Sequence, residues 1–244
     1  MNMKTAILIT GHPRTYQKTV DHLFQNCIRP NSSDVYISVW SENEDGSSVD
    51  VDQLCATYGA SAVSVSSSKE NEHQREKFYK LHRSDDCFDT NIRAYLSLKT
   101  NENKHIDRIR SQWYRVKCGM ELIANTKKYD VVMRTRFDIR YDAPIHFDSV
   151  DCSSSRYYVP SLLESVRQDH FVYCGLTTPV MTDHWCYGPW ESMMKYGSLY
   201  DSILPMYQNE NIPICNAEEM FAYFMLTRIG TEYYINSVPY ELVR

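Results

Sequence analysis

YDVVMRTRFDIRYD, Tyr129 to Asp142, opens as a buried strand and ends in charge. A strand that only filled a core would follow Val131, Val132 and Met133 with a turn of Gly, Asn or Pro. Here Arg134, Arg136 and Asp138 follow instead. If the backbone stays extended, these three alternate onto one face with period two, so two cations and an anion share one space. Guanidinium forks bind the oxygens of a diphosphate bidentately. The carboxylate can pair with the arginines or hold a divalent cation that bridges phosphates. A salt-bridge ladder on an exposed strand fits the spacing equally well, although charge straight after a buried run is costly unless it is compensated.

Outward from this stretch the chain alternates strand and helix. TAILIT (Thr5–Thr10) is an apolar run of strand length, followed by GHP and a helical stretch from near Arg14. Its apolar residues Tyr16, Val20, Leu23, Phe24, Cys27 and Ile28 recur at helical spacing. DVYISVW (Asp34–Trp40) reads as a second strand, Val51 to Tyr58 as a helix and Ser61 to Ser66 as a third strand. Ser67 to Asn103 is polar, a loop with one or two short helices. From Lys104 to Thr126, Ile106, Ile109, Trp113, Val116, Met120 and Ile123 mark one face of a long helix leading into the charged strand. The second half predicts short strands at Arg156–Ser161, His170–Gly175 and near Val180, helices at Trp190–Leu204 and Ala217–Arg228, and a strand at Glu232–Ser237. This grammar predicts a single α/β domain with a mixed, mostly parallel sheet flanked by helices.

Composition narrows the function. A chain of 244 residues with 43% hydrophobic and 23% charged residues can bury one large core. The net charge of -5 lacks the basic field that drives sequence-independent nucleic-acid binding. Eight cysteines without a C-x-x-C pair give no zinc or redox motif. No secretory signal is readable at the amino end and no apolar run approaches bilayer length, so a cytoplasmic protein with reduced thiols and no transmembrane segment is expected.

In open α/β sheets, ligands bind beyond the carboxyl ends of the strands. The first strand would bring Thr10, Gly11, His12, Arg14 and Thr15 there, and the second Trp40 and Ser41.

Several blocks in order, ILITGHPRTY, DVYISVW, QWYRVKCGMELI with YDVVMRTRFDI, MTDHWCYGPWESMMKYGSLY and NAEEMFAYFML, resemble those of GT-A-type (Rossmann-like) glycosyltransferase-like proteins. Such proteins belong to bacterial surface-polysaccharide and lipopolysaccharide-core clusters and to large viruses and phages. The resemblance implies a nucleotide-binding half over residues 1–142 and an acceptor and catalytic half over 143–244, acting in the cytoplasm of a bacterial or virus-infected cell. It places Thr10, Gly11 and Arg14 around the base and diphosphate of a sugar nucleotide, with His12 and Thr15 beside them, and has Trp40 close the nucleotide pocket. RTRFD occupies the place of the metal-binding D-x-D, with Asp138 on its last carboxylate and Asp142 a further possible ligand, so Mn or Mg dependence is expected. Arg136 departs from that motif, standing where its earlier carboxylate would be.

The segment TDHWCYG implies Asp183 as the catalytic or sugar-binding carboxylate and His184 as an auxiliary phosphate or metal contact; a packing histidine is the competing reading. Asn216 could cap a helix whose first turn holds Glu218 and Glu219, either as capping carboxylates or as the general base. The implied activity is hexosyl or pentosyl transfer from a nucleoside-diphosphate sugar to a hydroxyl of a surface glycan or lipopolysaccharide. Arg134, Arg136 and a cation at Asp138 would stabilise the leaving diphosphate, and Asp183, Glu218 or Glu219 would take the acceptor proton. On this reading, Asp138→Ala abolishes donor binding. The alternatives are a phage-type enzyme acting on a hydroxymethylated DNA base, a sugar-nucleotide-binding protein that has lost catalysis, and a nucleotidyltransferase on a similar scaffold.

Overall fold

A computed structural model describes residues 3–43, 45–67, 69–70, 72–73, 76, 102–160, 171–173, 176–178, 182–210, 217–229 and 233–243. The elements in chain order are β1 (Thr5–Thr10), α1 (Tyr16–Leu23), β2 (Asp34–Trp40), α2 (Val51–Tyr58), β3 (Ala62–Ser66), α3 (Glu102–Thr126), β4 (Val131–Arg136) and β5 (Ile139–Tyr141). There follow β6 (Tyr157–Pro160), β7 (Phe171–Tyr173), β8 (Leu176–Thr178), β9 (Cys186–Pro189), α4 (Trp190–Gly197), α5 (Leu199–Glu210), α6 (Ala217–Phe224), β10 (Tyr233–Asn236) and β11 (Tyr240–Leu242). Helix α1 runs on through a π-helical turn (Phe24–Ile28), and α6 through another (Met225–Ile229).

A seven-stranded sheet in the order β10-β6-β9-β4-β1-β2-β3 joins both halves of the chain in one domain. Strands β1 to β4 run parallel, β9 is antiparallel to both β4 and β6, and β10 is parallel to β6, so β9 alone is reversed. Strands β5 and β11 form a small antiparallel pair, and β7 and β8 another.

The pleat explains the continuous apolar runs. Ala6, Leu8 and Val132 face one side, where Trp113, Val116 and Met120 of α3 pack with Met193 and Tyr196 of α4. Ile7, Ile9, Val131 and Met133 face the other, against Leu23 and Cys27 of the α1 region and Leu54 and Tyr58 of α2. A strand with helices on both faces cannot alternate apolar and polar residues. Helix α3 lies tightly on β1 because Gly119 has no side chain there; a Cβ would sit 2.6 Å from Leu8 Cδ2.

The expected single helix Trp190–Leu204 is two. It breaks at Gly197–Ser198, and Gly197 at the end of α4 lies close on α3, where a Cβ would sit 2.8 Å from Met120. Strand β9, CYGP, is not among the expected strands, since Gly and Pro weaken a strand signal. The polar segment Ser67–Asn103, the run near Val180 and Asn216 fall largely or wholly outside the described residues. Among the described residues, no helix is long and apolar enough to cross a membrane. Cys27, Cys55, Cys118, Cys152 and Cys186 are free thiols.

Candidate functional site

Parallel pairing sets the ends of β1 and β4 side by side, with Thr10 opposite Arg136. Because β9 runs the other way, the residues before it, Thr182 to Trp185, lie at that same edge, and Cys186 pairs with Arg134. Three loops therefore meet there: Gly11–Thr15, the Phe137–Asp138 turn, and Thr182–Trp185.

Gly11 turns the chain away from β1 with φ of 110°, a conformation that strains any residue with a Cβ, and the space around it is open. His12 is half-buried and Arg14 exposed, both engaged with neighbours. Helix α1 begins at Tyr16 with no acidic residue in its first turn, and Thr15 precedes it without making a side-chain cap. An uncapped helix start favours negative charge nearby. Thr19 of α1 ties the β4–β5 turn in place, its hydroxyl donating to the Phe137 carbonyl at 2.5 Å.

Arg134 and Arg136 share the α3-side face, as period two requires, but their environments differ. Arg134 is 1% exposed; its Nε donates to Thr10 Oγ1 at 3.0 Å and its Nη1 to the Asp183 carbonyl. It is a strut that joins β1, β4 and the segment before β9, and is not presented to a ligand. Arg136 lies at the rim. Its Nε and Nη2 donate to Asp138 Oδ1 at 2.8 Å and Oδ2 at 2.6 Å, a bidentate fork with side-chain exposures of 28% and 18%. The strand ends at Arg136, and Asp138 sits in the turn, where its carbonyl accepts from Val243 N at 2.8 Å. Burial opposes ionisation of Asp138, but the Arg136 fork outweighs it and holds the carboxyl below its ordinary value.

Asp183 is 3% exposed and its Oδ2 accepts from the Gln112 amide of α3. His184 Nδ1 is 2.8 Å from the Tyr240 hydroxyl, with the rings edge to face at 5.6 Å. Burial, with the charges of Arg136 and Arg134, keeps its pKa below the ordinary 6.5 against the pull of Asp183 and Asp138. These contacts are those of a packing histidine. Trp40 is 6% exposed, donates to Ser111 Oγ at 2.7 Å and stacks on Tyr114 at 5.5 Å, so its ring belongs to the core. Glu218 and Glu219 lie at the start of α6, and their side chains fall outside the described residues.

A resident hard cation does not fit this donor set. Both Asp138 oxygens are taken by Arg136, Asp142 is paired with Arg140 at 3.2 Å, and no group of three His, Cys, Asp or Glu residues converges among the described residues. A Mg or Mn site needs several oxygen ligands free to turn toward the ion.

Residues outside the expected set complete the arrangement. Gln112 follows Ile109 by three positions on the flank of the α3 stripe, a polar residue where the helix meets the sheet edge. Arg115, fully buried, donates to Ser38 Oγ at 2.6 Å, Ser64 O at 2.7 Å and Ser66 Oγ, and its guanidinium lies 5.2 Å from the Trp40 ring. Burial pulls its pKa down to about 10. The serines that interrupt β2 and β3 are its partners, a hint available only once the two strands are known to pair. No protein-family model matches the chain, and a search of curated proteins returned no match.

Proposed function

We propose that this protein is a nucleotide-sugar-dependent glycosyltransferase of GT-A type, moving a sugar from a nucleoside diphosphate to a hydroxyl of a glycan acceptor. The observation that carries the reading is the convergence of Gly11–Thr15, Arg136–Asp138 and Thr182–His184 at the carboxyl edge of β1 and β4, where open α/β sheets bind ligands. The single reversed strand in an otherwise parallel sheet agrees with the mixed sheet that the resemblance implies. Open space at Gly11 gives the donor a place to approach backbone. Arg136 and the uncapped start of α1 supply positive character for the leaving diphosphate. No step of the proposed transfer runs through a metal.

Asp183 is the carboxylate assigned to the acceptor proton, held by Gln112 and anchored through its carbonyl on Arg134. Thermal shift against UDP-, GDP-, CMP- and TDP-sugars tests the donor class, because a ligand that binds only the folded state raises the transition. No shift with any of them would sink the reading. With the stabilising donor, Asp183→Asn is expected to retain binding and to lower turnover about 100-fold or more. Undiminished turnover moves the base role to Glu218 or Glu219.

The ion pair that occupies Asp138 also favours a second reading, a sugar-nucleotide-binding protein without catalysis. Donor binding with no release of nucleoside diphosphate, with or without acceptor glycans, would select it.

A further inference from the structure

Arg136 stands where a carboxylate was expected to hold a cation, and the fork it places on Asp138 leaves neither oxygen for a metal. The positive charge that a diphosphate requires is thus already present in the protein, on a side chain at the sheet rim rather than in the core. Its neighbour in the strand, Arg134, is locked by Thr10 and the Asp183 carbonyl. Arg136 lies at the rim and counts the Asp138 carboxylate, itself part-buried, among its partners. The pair is largely buried, so the guanidinium gives up its carboxylate only when another anion takes the fork. A phosphate group presents the same bidentate geometry with more negative charge.

We propose that Arg136 replaces the divalent cation as the counter-charge of a bound diphosphate, and that Asp138 is its resting partner, released when phosphate takes over the fork. The inference rests on the donor class proposed above. It requires diphosphate binding to be independent of added metal, to depend on Arg136, and to be opposed by Asp138. The last requirement separates it from a metal site, in which Asp138 is a ligand and its loss weakens binding.

The test is isothermal titration of the full chain with inorganic pyrophosphate and with UDP, GDP, CDP and TDP, in EDTA and again in Mn. Wild type is expected to bind in EDTA with no gain from Mn. Asp138→Asn is expected to bind about threefold or more tightly, since the fork loses its competitor while the side-chain shape is kept. Arg136→Met is expected to lose binding at least about tenfold, and Arg136→Lys to recover part of it, a point charge without the fork. Arg136→Asp sets two carboxylates at 136 and 138, and is expected to bind diphosphate only when Mn is present.

Weaker binding by Asp138→Asn, or wild-type binding that needs Mn, overturns the proposal; the first readout decides even if an Arg136 variant does not fold. Arg136-dependent binding of pyrophosphate, with no nucleoside diphosphate bound more tightly, upholds the anion site and removes the glycosyltransferase reading. Mn-dependent nucleotide binding indifferent to Arg136 does the reverse.

Discussion

His184 shows how one side chain at the site can be read through solution behaviour. Its folded-state pKa lies below the ordinary 6.5 because burial, helped by Arg136 and Arg134, disfavours the imidazolium. The unfolded chain therefore binds a proton more readily than the folded one. Stability from this group is complete above 6.5 and declines as the pH falls from there to the folded value. Asp138 acts with the same sign at lower pH, beneath its ordinary 3.8, because Arg136 favours its charged form in the folded state. Urea unfolding is expected to show a lower midpoint at about pH 5.5 than at about pH 7.5. His184→Gln should narrow that difference, and an unchanged difference would remove the packing role given to His184. At this scale the sequence placed Arg134, Arg136 and Asp138 together, but not which arginine is buried. Spacing sets the face of a strand, whereas depth depends on what covers it, here the Asp183 carbonyl and α4.

Among the elements, β9 bears most directly on the site, since its reversed direction delivers Thr182–Trp185 to the carboxyl edge of β4. Gly188 within it lies against β6, and a Cβ there would sit 2.8 Å from the backbone carbonyl of Arg156. A backbone atom cannot swing aside as a side chain can. Gly188→Ala is expected to cost about 1–3 kcal/mol in equilibrium unfolding, and a neutral result would show that β6 and β9 are not in this register. Strands β1 and β2 were legible with their boundaries, because both are buried on two faces and read as continuous apolar runs. Strand β9 was not, because four residues containing Gly and Pro owe their extended conformation to neighbours on both sides. Helix α3 was legible along its apolar face, while Gln112 and Arg115 gained meaning only from Asp183 and the β2–β3 serines opposite them.

Over the whole molecule, the net charge of -5 bears on the acceptor proposed for this chain. Counterion release from DNA needs several lysines or arginines on phosphates. Arg134 and Arg115 are buried, and Arg136 and Arg140 face Asp138 and Asp142. A duplex carrying hydroxymethylated bases is therefore expected to show no binding in a filter assay at about 0.15 M salt. Retention that falls steeply with added salt would favour the DNA-modifying alternative over the glycan acceptor. The seven-stranded sheet takes strands from both halves of the chain, so the site belongs to neither half alone; β1 and β4 bring one wall and the segment before β9 another.

The sequence by itself determined the α/β class, the parallel core strands and the clustering of charge after Met133, because these follow from local periodicity and from the cost of burying charge. Only the tertiary structure decided that Arg134 is a strut, that Arg136 closes on Asp138, and that Asp183 and His184 reach the same edge. The strut and the arrival of Asp183 and His184 depend on contacts between residues far apart in the chain, set by the single reversed strand in the sheet, whereas the Arg136–Asp138 fork is local and depends on the turn that follows β4.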